Sequence, residues 1–159
     1  MPIGDNIRYV GAKAQQQIRL GRQVSRATAD VQTGSAVAIF TISGGRILVT
    51  QIIGQVTTVL SAGTTPDAKF QSNPTTGTTN NMCATLQIDS DEVGTMYGIT
   101  GTPADAMLDG QSGALRAQTT PMIVAIGDIE FICDENITGS IKFDIWYIPI
   151  DEGASVVAT

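Results

Sequence analysis

The stretch from Gly44 to Leu60, GGRILVTQIIGQVTTVL, limits the fold more than any other, because it is the longest run that reads as one secondary element. Its even positions Leu48, Thr50, Ile52, Gly54, Val56, Thr58 and Leu60 are apolar or small throughout, whereas Gln51 and Gln55 interrupt Ile47, Val49 and Ile53 on the odd side. Leu48, Ile52, Val56 and Val59 also fit helical spacing. The β-branched crowding and the interior Gly54 disfavour a helix and suit a strand with a bulge. The stretch therefore predicts a long, bent central strand with one buried and one mixed face.

Upstream, AVAIFTI is a strand with Ala36, Ala38, Phe40 and Ile42 on one side, and Ser43, Gly44 and Gly45 form a tight turn that predicts a hairpin into the long strand. Downstream, SAGTTPDAKFQSNPTTGTTNN holds Pro66, Pro74 and repeated Thr, Gly and Asn, which predicts a long irregular loop and a candidate contact surface. Cys83 to Asp89 reads as a strand with Ala84, Leu86 and Ile88 inward, and Thr95 to Thr100 as a short return through Met96, Tyr97 and Ile99. Ala104 to Leu108 fits a short helix after Pro103. Met122 to Ile126 and Ile129 to Cys133 read as one strand kinked at Gly127 and Asp128, or as a pair; the single bent strand is preferred, with Ile129, Phe131 and Cys133 inward. In SIKFDIWYIPI the alternation is cleanest: Ile141, Phe143, Ile145 and Tyr147 face the core, and Lys142, Asp144, Trp146 and Ile148 face out. Trp146 and Ile148 are then expected beneath the N-terminal segment or at a subunit interface.

The 159 residues suffice for one domain without covalent staples, so Cys83 and Cys133 are expected as two buried thiols. The organisation expected is an N-terminal arm over residues 1–34, extended with at most a helical turn or two, a β-sandwich over 35–150 and a C-terminal tail over 151–159. Charge divides at the first boundary. In residues 1–34, Arg8, Lys13, Arg19, Arg22 and Arg26 against Asp5 and Asp30 leave +3, while four basic and thirteen acidic residues leave −9 in the remainder. The start of the sequence has no apolar signal core, and no apolar run reaches the ~18 residues of a membrane span, which predicts a soluble protein of a reducing cytoplasm.

Chemistry is constrained by what the sequence lacks. There is no histidine, hence none of the commonest general base and metal ligand, and two cysteines alone do not complete a tetrahedral zinc site. Asp89, Asp91 and Glu92 begin like a calcium loop, but a third ligand at the right step and the closing glutamate are missing, so they are expected as solvated turn acids. Asp128, Glu130, Asp134 and Glu135 supply carboxylate pairs without an aromatic sugar platform. The five basic residues of the arm are too dilute, and the body too acidic, to predict a nucleic-acid site. No enzyme, cofactor, metal or small-molecule substrate is expected.

Taken together, TISGGRILVTQIIGQVTT, the Thr-rich SNPTTGTT and the closing TGSIKFDIWYIPI resemble the capsid decoration, or cement, proteins of tailed bacteriophages. The resemblance implies an all-β, single-domain β-sandwich or jelly-roll-like body with an N-terminal arm, made in the host cytoplasm and assembled as a homotrimer on the outside of the capsid. It implies the major capsid protein as partner, with no nucleic acid or membrane. Arg8, Lys13, Arg19, Arg22 and Arg26 are the residues expected at the capsid contact, supported by hydrogen bonding from the loop Gly63 to Asn81. A carbohydrate- or receptor-binding module of a phage tail is the alternative.

Overall fold

The computed structural model describes residues 11–30, 34–61, 64–111 and 113–159. Two antiparallel sheets pack face to face as a β-sandwich, and a single described helix, α1 (Ala12–Leu20), precedes the first strand. One sheet runs β1 (Arg22–Asp30), β11 (Thr138–Pro149), β3 (Ile47–Ser61), β7 (Met96–Gly98) and β8 (Leu108–Gly110), with β9 (Met122–Val124) also paired to β3. The other runs β12 (Ser155–Ala158), β2 (Ala36–Ser43), β10 (Gly127–Cys133), β4 (Asp67–Pro74) and β5 (Asn80–Asn81), with β6 (Leu86–Gln87) beside β4.

The core lies between the sheets, filled by their inward faces. Phe70 on β4 and Phe131 on β10 meet Phe143 of the opposite sheet edge-on or tilted, with ring centroids 5.3 to 6.0 Å apart. Each such pair contributes ~0.5–1.5 kcal/mol beyond the area it buries. Cys83 and Cys133 are buried free thiols, as the sequence predicts, and burial pushes the Cys83 thiol up to about 11.

The long strand is where the sequence places it, and its bulge lies elsewhere. Opposite β11, Val49 pairs with Tyr147 and Gln51 with Trp146, so Thr50 is the extra residue. The inward face changes parity there: Ile47 and Val49 are buried before it, and Ile52, Gly54 and Val56 after it. Leu48 and Thr50 therefore do not share the core face with Ile52. Gly54 makes room for a ring, since a Cβ there would lie 3.0 Å from Phe143 Cε1.

Several expected elements differ. β2 and β3 are not a hairpin but belong to opposite sheets; Gly44, at φ +75°, crosses the sandwich end so close to the Gly153 carbonyl that a Cβ would lie 2.3 Å from it. The polar stretch after Leu60 contains β4, whose Ala68 and Phe70 enter the core. Its outer Gln71 and Asn73 are polar because they bind Glu130 of β10, which hides the strand in the sequence. Met122 to Cys133 is a pair of strands in different sheets, parted at Gly127, where the Asn73 carbonyl would stand 2.3 Å from a Cβ. Ile129, Phe131 and Cys133 do face inward. Between Cys83 and Asp89 only Leu86 and Gln87 are strand, and Ala84 makes an isolated parallel bridge to Ala106. That bridge holds the segment after Pro103 extended, so Met107 enters the core and the expected helix is replaced by a turn into β8.

The ends of the sandwich also extend past the expected boundaries. Residues 22–30, expected as arm, form β1 because its backbone pairs with β11 from Arg22↔Tyr147 to Asp30↔Ser140. Residues 155–158, expected as tail, form β12 against β2. Of the described arm, residues 11–21 and Gly34 stand outside the sheets.

Candidate protein-interaction surface

The C-terminal end of helix α1 is fixed to the sandwich. None of its residues is buried, so it has no apolar stripe packed on the body. Its C-terminus is fixed at Gly21, whose φ of +90° lets its amide donate to the Gln17 carbonyl at 3.0 Å while the chain turns onto β11. One step earlier, the Thr50 hydroxyl donates to the Leu20 carbonyl. The bulge of the central strand thus serves as the anchor of the helix.

Around that anchor one corner of the outer face of the β1–β11–β3 sheet is apolar, bordered by Gln51 and Arg116. Leu20, Ile53, Met96, Leu115 and Trp146 line an open cleft of about 490 Å³. Next to it, the ladder places Ile148, Leu48 and Ile123 side by side across β11, β3 and β9, with Ile148 41% and Ile123 67% exposed. Ile18 of α1 is 59% exposed. Contiguous exposed apolar side chains of this kind mark surfaces that bind other surfaces. Ile123 had no outward signal in a single-strand reading of Met122 to Cys133.

The five basic residues expected to act together are not one group. Arg8 lies outside the described residues. Lys13 and Arg19 are exposed on α1 and Arg22 is exposed at the head of β1, and none has an ion-pair partner among the described residues. Arg19 also lies in the last helical turn, where its charge suits the helix dipole. Arg26 is engaged with its own chain: its Nε donates to the Thr159 carbonyl oxygen at 2.6 Å, and partial burial lowers its pKa. Trp146 is 92% covered, as expected of a residue beneath the arm; it lies in the cleft with Leu20. Of the loop Gly63 to Asn81, Gly63 is outside the described residues and Asp67–Pro74 is strand β4.

The acidic residues hold structure. Asp91, expected in solvent, is 6% exposed; its carboxylate accepts from Tyr97 Oη, and from Gln111 Nε2 at 3.2 Å. Burial raises its pKa, opposed by those hydrogen bonds and aided by Asp109 and Asp89. It had no solvated turn to occupy because the 90s turn folds inward, with the Leu60 amide donating to the Asp91 carbonyl. Glu130 accepts from Gln71 Nε2 at 2.6 Å and Asn73 Nδ2 at 2.9 Å, Asp128 from Thr41 Oγ1 at 2.6 Å, and Asp134 from the Asp67 amide at 2.8 Å. Among the described residues, no three acidic or cysteine side chains are grouped to hold a metal ion, and no helix is long and apolar enough to cross a membrane.

The surface can therefore make a protein contact: a cationic helix on one tether, beside apolar side chains of a rigid sheet. Compared with family models, with curated proteins and with solved structures, the chain matches none.

Proposed function

We propose that this chain is a structural virion protein of the decoration type, which binds the outside of a phage capsid and stabilises it by bridging major capsid subunits. The observation that carries the reading is α1: a helix with no buried residue, tethered at Gly21 and Leu20, that holds Lys13 and Arg19 out beside the apolar row of the outer sheet. Such a helix gains little from its own body, and an acidic protein surface with an apolar centre would complete it. A clamp that binds only assembled subunits stabilises the assembly by RT ln(1 + [L]/Kd), and attachment as a homotrimer would multiply weak contacts.

The buried aromatic residues favour this reading over a carbohydrate-binding tail module. Among the described residues every Phe, Tyr and Trp ring is buried, including Tyr97, Trp146 and Tyr147, so no aromatic platform faces solvent for a sugar ring. The test uses particles made from the genome that encodes the chain, with and without its reading frame. Particles lacking the chain should rebind the purified protein at regular sites on the head and survive a higher temperature after rebinding. Binding to a tail or to host glycans, with bare heads, would replace the proposal with the receptor-binding reading.

A further inference from the structure

We propose that the cleft beside the Thr50 bulge takes an extended acidic segment of the partner protein. One large apolar side chain of that segment sits among Ile53, Met96, Leu115 and Trp146, and a carboxylate next to it pairs with Arg116. The identity of the partner rests on the decoration reading; the chemistry that holds it is read from the cleft. Ile53 and Trp146 stand on neighbouring strands of the ladder, and Leu115 is set down on Gly98, where a Cβ would lie 2.9 Å from Leu115 Cδ2. Trp146 is 8% exposed, and its Nε1 is buried with no acceptor among the described residues. Gln51, across the ladder from it, is already satisfied: its Oε1 accepts from the Gln118 amide at 2.8 Å and its Nε2 donates to the Ile52 carbonyl at 3.3 Å. Gln118 directs its Nε2 to the Val49 and Thr120 carbonyls, and its Oε1 is buried without a donor among the described residues. One unmet donor and one unmet acceptor thus flank Gln51, and folded proteins leave few such groups unpaired. A peptide unit carries one acceptor and one donor, which a purely apolar ligand lacks. A main-chain carbonyl of the occupant accepts from the Trp146 indole.

Charge selects the kind of peptide. Arg116 is exposed at the border of the cleft, and Leu20 links the cleft to the hollow along α1 that holds Arg19. Neither arginine has an ion-pair partner among the described residues. The acids nearby are engaged or stand elsewhere. Asp144, opposite Ile53, accepts from Gln23 Nε2 at 3.1 Å and from the Ser25 hydroxyl. Asp105 and Asp109 line a separate hollow, where Asp105 accepts from Thr100 Oγ1 at 2.8 Å. An occupant with carboxylates flanking its apolar residue therefore meets cations from two elements, α1 and the 113–117 segment, and a basic one is repelled.

The chain's single tryptophan gives one indole N–H resonance, which makes the cleft directly observable. The full chain, isotope-labelled, is titrated to roughly millimolar concentration with three capped peptides. These are a leucine flanked by aspartates, the same peptide with serine for the leucine, and the same with lysines for the aspartates. The first should move the indole resonance downfield and saturate. The other two should bind at least about tenfold more weakly, and Arg116→Gln should weaken the first at least about fivefold. Arg116 is exposed, so this variant should keep the parent's melting curve. An indole resonance that does not move, or an equal response to the three peptides, would overturn the proposal. Heads that lack the chain separate it from the decoration reading. Heads that rebind the parent while the peptides leave the indole unmoved remove the cleft and keep decoration; a saturating peptide with bare heads does the reverse.

Discussion

Gly21 lies against the main chain of Tyr147 so closely that a Cβ on it would stand 2.1 Å from the Tyr147 carbonyl oxygen. The arm reaches the outer sheet at this contact, and only a residue without a side chain fits the approach and the φ of +90° together. Gly21→Ala should therefore detach α1 and leave the sandwich folded. Trypsin cleavage after Arg19 and Arg22 is expected to quicken by about tenfold, corresponding to ~1.4 kcal/mol of lost docking. An unchanged cleavage rate would show that the helix is held by something other than its tether.

Tyr97 and Asp91 are a buried polar pair of the sandwich, and they predict a specific pH response. The folded-state pKa of Asp91 is raised, chiefly by burial, so the folded state takes up a proton before the unfolded chain does. Its charge penalty is full above the raised pKa and fades as pH falls toward the ordinary carboxylate range. Asp91→Asn should therefore be more stable than the parent at neutral pH, with the difference closing on acidification, as read by thermal melts between pH 7 and 4. Asp91→Ala leaves the Tyr97 hydroxyl without its acceptor and should destabilise by ~1–3 kcal/mol.

Phe143 occupies the space that Gly54 leaves open. Gly54→Val would push on the ring that joins Phe70 and Phe131 across the sheets, and is expected to destabilise by ~1–3 kcal/mol in urea melts. Gly54→Val paired with Phe143→Leu should recover part of that loss. A Gly54→Val chain as stable as the parent would place the glycine's role elsewhere.

How much was legible follows from these contacts. The sandwich class was readable because β3 and β11 alternate over long runs, and Ile141, Phe143, Ile145 and Tyr147 enter the core as their pattern predicts. Sheet membership was not, because a Gly–Gly turn such as Gly44–Gly45 reads identically whether it closes a hairpin or crosses between sheets. Strand β4 was hidden because Gln71 and Asn73 are polar for the sake of Glu130, a partner 57 or more residues away. β1 was hidden because an edge strand bound by its backbone needs no apolar alternation. Of the candidate surface, the basic residues were legible as a charge split; that Arg26 turns back to Thr159 depends on a fold contact no local pattern encodes.

The central claim is that the exposed basic residues of α1 and the head of β1 grip an acidic protein shell. It is tested most directly by changing the exposed Lys13, Arg19 and Arg22 together to Gln and measuring occupancy on heads that lack the chain, by cosedimentation at increasing salt. The account predicts a folded protein whose occupancy falls at least about tenfold, with the parent's salt dependence largely abolished. Full occupancy with the parent's salt dependence would contradict it.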